Sequence, residues 1–196
     1  MSEFWNTRYA AEEYVYGREP NAFFKDFLQG KSPGKLLLPC EGEGRNAVYA
    51  ASLGWEVYAF DQSSSGQEKA MKLAKEAGVS IQYEIADANS YESTEKFDLI
   101  AFLWAHFDQQ TRKVFHKRMT GYLKEGGMLV LESFNKKQIN FSSGGPKDPA
   151  MLPSVEDLKE DFNSLQLLYL AEEQTTISEG AFHEGIAEVI RYIGIK

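Results

Sequence analysis

The sequence predicts an α/β fold: a doubly wound, mostly parallel seven-stranded sheet with helices on both faces and an antiparallel C-terminal hairpin. Three observations carry this expectation. Short apolar runs alternate with helical segments of about 10 to 15 residues, the rhythm of strands joined by crossover helices. The first of these runs, "KLLLPC", is apolar almost throughout instead of alternating, as in a strand buried on both faces. Near the end, "LQLLYLAEEQTTIS" and "FHEGIAEVIRYIG" are separated only by Glu179–Ala181, which is too short for a crossover, so the two pair as a hairpin on the sheet edge.

Taken in order, "KLLLPC" is the first strand, and "RNAVYAASLG" a helix with Ala47, Ala50 and Ala51 on a thin packing face and Gly54 at its end. "WEVYAFD" is the second strand. A helix from Ser64 to Ala77 follows a serine cluster and stops at Gly78. "VSIQYEIAD" is a third strand ending at Asp87, and "KFDLIAFLWAHF" a fourth with an aromatic tail. The next helix, "QQTRKVFHKRMTGYLKEGG", is expected to turn Val114, Met119, Tyr122 and Leu123 to one side, before "MLVLESF" as the fifth strand. Residues 135–153 form a Gly-, Ser- and Pro-rich loop of the kind used for lids and binding loops, placed near the active-site cleft. A short helix then opens at Ser154, with Asp157 completing its cap. Residues 1–30, with Trp5, Tyr9, Tyr14 and Tyr16 ahead of a helix opened by Pro20 and Asn21, read as a helical cover segment. Residues 1–196 are expected to form a single domain.

Composition narrows the function. A net charge of −8 leaves no clustered basic face for nucleic acid, and the pairs at Lys117 and Lys136 do not supply one. No apolar run reaches the roughly 20 residues of a membrane span, and "MSEFWNTRYAAEEYVYG" does not read as a signal peptide. One cysteine, Cys40, allows no internal disulfide, in keeping with a cytoplasmic protein. The three histidines and the cysteine lack metal-ligand spacing.

The chemistry concentrates between Lys35 and Asp61. "GEGRNA", Gly42 to Ala47, matches a glycine-rich dinucleotide fingerprint, and Asp61 follows at about the distance of a ribose-binding acid. A dinucleotide brings a pyrophosphate to the helix N-terminus, where Glu41 and Glu43 would repel it by on the order of 1 to 4 kcal/mol. A cofactor without phosphate, carrying a sulfonium and an ammonium group, turns the same carboxylates into an asset. S-adenosylmethionine is such a cofactor.

These motifs, with "IAD" at Ile85–Asp87, "FDLIAF" and "LKEGGMLVLESF", resemble class I S-adenosylmethionine-dependent methyltransferases over nearly the whole chain. "GEGRNA" and "GGPKDP" look most like the small bacterial branch related to tellurite-resistance and thiopurine methyltransferases. The resemblance implies a Rossmann-like fold and a set of cofactor contacts. Glu41, Gly42, Gly44 and Asn46 would face the methionine end, and Asp61 the ribose hydroxyls. Gln62 and Ser63 would flank the adenosine, Asp87 and Ala88 would read the adenine edge, and Leu103 and Trp104 would line the other side. The chain departs from the class pattern at Leu38, where an acid is usual, at Cys40, where the first glycine falls, and at Glu41, an acid displaced along the loop.

Methyl transfer is an in-line displacement in which alignment and exclusion of water do most of the work. A thiol or metalloid oxyanion acceptor needs no base; an amine does, and His106 is the candidate catalytic residue by position. Tyr16 and Asn135 are candidate substrate residues. His116, in mid-helix, is expected to be exposed, and His183 to be a hairpin residue. The partner is a small-molecule methyl acceptor, with no nucleic acid or membrane, and the oligomeric state is open. Two other readings stand beside this one: a non-catalytic sensor that binds the cofactor or a nucleotide, and a small NAD(P)-binding protein.

Overall fold

The computed structural model describes residues 2–196. Its strands are β1 (Lys35–Pro39), β2 (Glu56–Asp61), β3 (Gln82–Ile85), β4 (Phe97–Leu103), β5 (Leu123–Phe134), β6 (Gln166–Ser178) and β7 (Glu184–Ile195). Its helices are α1 (Ser2–Tyr9), α2 (Ala22–Leu28), α3 (Arg45–Ser52), α4 (Ser64–Ala77), α5 (Gln109–Gly121) and α6 (Val155–Asp161). The strands form one sheet in the order β3-β2-β1-β4-β5-β7-β6. β1 to β5 run parallel, and β7 pairs antiparallel with both β5 and β6. The direction of winding reverses between β1 and β4, and in open α/β sheets the crevice beyond the strand ends at that point holds the ligand.

The central strand shows why the chain folds this way. Leu36, Leu37 and Leu38 are all fully buried, because both faces of β1 are covered. Leu36 and Leu38 pack with Ala47, Ala50 and Leu73 of α3 and α4, while Leu37 faces Phe60, Phe102 and Phe115 on the α5 side. Each such side chain contributes about 1.5 to 3 kcal/mol on burial. The short α3 side chains let that helix lie close to the sheet. α4 is bounded as its sequence predicts, by the Ser63 hydroxyl accepting from the Gly66 N–H and by Gly78 at φ 70°. The Ser154–Asp157 pair at the start of α6 forms a reciprocal capping box.

Four local expectations change. The buried side of α5 is Arg112, Phe115, His116, Met119 and Thr120, whereas Val114 is 58% exposed. The helix can bury charge there because Asp161 accepts from Arg112 Nε at 2.7 Å and from His116 Nδ1 at 2.9 Å. His116 is therefore not exposed but stacked on Phe102 and Phe162, and burial lowers its pKa against the pull of Asp161. β3 ends at Ile85, because Asp87 turns the chain by accepting the Asn89 N–H at 2.8 Å. β5 starts at Leu123, ahead of the expected "MLVLESF", with an irregular register between Phe97 and Leu99 of its partner.

Candidate active site

Beyond Pro39 the chain turns at Cys40, whose φ of 56° lies in the left-handed region that glycine adopts freely. That is the physical reason a glycine is the usual residue here, and a side chain at this position costs roughly 1 to 2 kcal/mol. The turn delivers Glu41 to the N-terminus of α3. Its Oε1 accepts from the Ala47 N–H at 2.8 Å and its Oε2 from the Asn46 amide at 3.4 Å. The anion position at this helix start is thus filled by the protein's own carboxylate. Burial pushes the Glu41 carboxyl up to about 7, against the lowering effect of these hydrogen bonds and of Arg45. Gly44 follows at φ 85°, and a Cβ there would lie 2.5 Å from that of Ala70, so α3 and α4 could not meet.

Glu43 has a different role from the one its charge suggested. It pairs with Lys69 at 2.7 Å and accepts from the Tyr16 N–H at 3.3 Å, tying the N-terminal cover to α4. Asp61, at the end of β2, is buried, its oxygens accepting from the backbone N–H groups of Gly42 at 3.2 Å and Ser63 at 2.9 Å. Burial raises its pKa and these donors restrain the rise. α1 lies alongside: Asn6 accepts from the Ser63 hydroxyl at 2.7 Å, and the Tyr9 hydroxyl lies 2.6 Å from where a Gly42 Cβ would stand. Tyr83 donates to the Gly42 carbonyl at 2.6 Å. Backbone and aromatic surfaces thus surround a fixed carboxylate at the mouth of the crevice.

Across the crevice β4 ends at Trp104, a second residue forced to positive φ, at 60°. Its N–H donates to the Glu132 carbonyl at 3.0 Å and its indole N–H to Glu179 Oε2 at 2.7 Å. The ring packs 4.4 Å from Phe134 and 5.0 Å from His183, whose other neighbour is Tyr16 at 4.7 Å. Glu179 also pairs with Arg45 at 2.7 Å and accepts from Asn21 at 3.1 Å. Burial alone would raise its carboxyl, but His183 and Arg45 hold it at about 2. His106 stacks on Phe134, with Nδ1 3.2 Å from the Ser133 hydroxyl. Burial, with His183 nearby, lowers its pKa to about 3. The buried His106 Nε2 has no hydrogen-bond partner.

The structure brings Glu41, Gly42, Gly44, Asp61, Gln62, Ser63, Leu103 and Trp104 to the strand ends around the switch point, with Tyr16 and His106 on the Trp104 side. Several side chains serve the fold there. Asn46 accepts from the Asn21 N–H at 2.8 Å while donating to Glu41. Ser63 caps α4. Asn135, expected at the substrate, is fully buried; its amide donates to the Val189 carbonyl and accepts from the Lys137 N–H. Asp87 is exposed and Ala88 half-buried beyond β3. Sequence reasoning did not find Arg45, Glu179 or Tyr9 and undervalued His183. No local signal marks Glu179, whose partners lie far away along the chain. Among the described residues, no His, Cys, Asp and Glu group could hold a metal ion.

Residues 38–127 match the family model of a methyltransferase domain. The ubiquinone biosynthesis O-methyltransferase of Rickettsia felis is 27% identical over 95 residues, which cover 48% of this chain and 39% of that protein, so the match spans well under half of the relative's length. Among solved structures, a protein of echinomycin biosynthesis, described with the conversion of a disulfide bond into a thioacetal group, superposes with a TM-score of 0.83 at 15% identity, over 100% of this chain and 91% of that one. TehB from Haemophilus influenzae gives 0.73 at 16% identity, over 100% and 66%. The N-methyltransferase NodS from Bradyrhizobium japonicum, with S-adenosyl-L-homocysteine bound, gives 0.72 at 14% identity, over 100% and 98%. The sequence match is thus to a methyltransferase domain over residues 38–127, and the likeness in fold extends over the whole chain to an S-adenosyl-L-homocysteine-binding methyltransferase and to TehB.

Proposed function

We propose that this protein is an S-adenosylmethionine-dependent methyltransferase acting on a small soft nucleophile, a thiol or metalloid oxyanion. One observation carries the choice of cofactor: Glu41 already occupies the anion position at the N-terminus of α3, so a phosphate would meet a carboxylate there. Asp61, held by two backbone donors, presents its remaining lone pairs to a ribose, and Glu41 offers negative charge to an ammonium. When bound, S-adenosylmethionine supplies a methyl group activated by its sulfonium. The chain's own task is to align the acceptor and exclude water, and the ring wall of Trp104, Phe134, His183 and Tyr16 suits both.

The acceptor class follows from the base. A histidine with a pKa of about 3 is a poor acceptor for the proton of an amine or alcohol at neutral pH. With no base at His106, the acceptor has to arrive already ionised, as a thiolate or an oxyanion does, and the methyl group passes to it from the sulfonium without a proton transfer to the protein. Titration calorimetry of S-adenosylmethionine tests the cofactor. Asp61→Ala should weaken binding about 10- to 100-fold, the value of hydrogen bonds to a charged group. Unchanged affinity would remove Asp61 from the site. Transfer of labelled methyl to a panel of mercaptoethanol, selenite and a primary amine tests the acceptor; transfer to the amine alone would refute the soft-nucleophile reading.

A further inference from the structure

We propose that Glu179 is a positioning residue for this reaction, its carboxylate fixing the Trp104 indole as a wall of the acceptor cleft. The inference rests on the methyltransferase reading for what the cleft holds, and on the geometry for what Glu179 does. Trp104 is the residue at which β4 ends, beside the switch-point crevice, and its left-handed backbone aims the side chain away from the strand direction. A bulky residue keeps such a conformation only where its surroundings over-determine it, and such residues cluster at functional sites. Here its backbone N–H is tied to Glu132 and its indole N–H to Glu179.

Glu179 is in turn held from three directions. Arg45 of α3 meets the same oxygen that takes the indole N–H, Asn21 donates to the other oxygen, and His183 Nδ1 faces the carboxylate at 3.6 Å. The turn that carries it is wedged against the N-terminal cover: a Cβ on Gly180 would lie 2.4 Å from the Val15 carbonyl oxygen. Sealing the turn needs only the Arg45 pair. The indole bond does something further, because it ties a half-buried ring to that fixed carboxylate. The carboxylate therefore selects one orientation of the ring that faces Phe134 and His183.

The test uses the full chain. With Trp5 and Trp55 replaced by Phe, Trp104 is the sole tryptophan and its emission reports its setting. Glu179→Ala should shift that emission to the red and expose it to acrylamide, whereas Glu179→Gln, whose amide oxygen still accepts the indole N–H, should stay near the parent. In the protein with all tryptophans, methyl transfer to mercaptoethanol should show KM for the thiol raised about tenfold by Glu179→Ala, the low end for a hydrogen bond to a charged group. Affinity for S-adenosylhomocysteine should fall less than the KM rises, since Asp61 and Gly42 hold the cofactor from the other side of the crevice, and Glu179→Gln should restore most of the loss in KM. Trp104→Phe guards against misfolding, because it keeps the Arg45 pair yet should raise KM alike, with little added by Glu179→Ala on top. Unchanged Trp104 emission in Glu179→Ala, or equal losses in the Ala and Gln variants with cofactor affinity falling in step, would overturn the proposal. If S-adenosylhomocysteine binds but no thiol is methylated, the acceptor reading fails and the emission comparison alone decides Glu179.

Discussion

Replacing Glu41 by Gln should make the protein more stable, by an amount that grows with pH. The amide oxygen can still accept the Ala47 N–H, so the helix cap survives, while the desolvated charge is lost. Burial raises the carboxyl from 4.5 to about 7, so the folded state holds the proton more tightly than the unfolded chain. The charged form therefore opposes folding: the penalty is absent below the unfolded pKa, grows as pH rises from 4.5 and is complete once pH passes about 7. At about 1.4 kcal/mol per pKa unit, the full effect approaches about 3.5 kcal/mol, and the gap between variant and wild type widens by about 2.5 kcal/mol from pH 5 to pH 8. Urea midpoints of both proteins across that range measure it. Parallel curves would refute the reasoning, since they would show Glu41 titrating alike in folded and unfolded chains. The same group gives a signature of the cofactor: an ammonium nearby pulls the pKa back down, so binding at pH 7 should release a fraction of a proton, seen as a dependence of calorimetric heat on the buffer.

Two further outcomes follow from geometry alone. Cys40→Gly removes a side chain from a left-handed residue and should raise stability by about 0.5 to 1 kcal/mol by thermal denaturation, the relief of strain exceeding glycine's entropy cost; destabilisation would mean that Cys40 packing outweighs the strain. Asp161→Ala leaves the Arg112 and His116 side chains buried beside each other without their shared acceptor. It should cost about 3 to 5 kcal/mol in a urea titration near neutral pH, and less in strong acid, where the parent's Asp161 carboxyl is itself protonated. A loss under 1 kcal/mol would show that water replaces the carboxylate.

What the sequence revealed divides along chain distance. The α4 boundaries were legible because Ser63 and Gly78 act within a few residues of the helix they bound, and the β6–β7 hairpin because its connection is too short for anything else. The place of Asp61 at the end of β2 was legible because the apolar run before it stops there. The buried face of α5 was misjudged, since Arg112 and His116 looked like surface residues until Asp161, on another helix, accounted for them. Cys40 was visible as a departure from the class pattern, and its positive φ supplies the reason glycine is usual. Glu43 was counted toward a cationic ligand, yet Lys69 claims it. Glu179 was passed over because its partners, Arg45, Asn21 and Trp104, lie in distant stretches and nothing local marks it as buried.

That distance has a consequence for how the molecule comes into being. Asn21 and Glu179, which share a hydrogen bond, lie 158 positions apart. The loop around Glu41 and Asp61 needs only β1, β2 and the helix between them, all made early on the ribosome, and domains begin to fold as they emerge. The wall carrying Trp104 waits for the turn after β6, and that turn is anchored only when β7 has paired with β5. On the proposed reading, the place for the methyl donor forms during synthesis well before the one for the recipient. The turn after β6 then closes the cleft by clasping a segment made some 158 positions earlier.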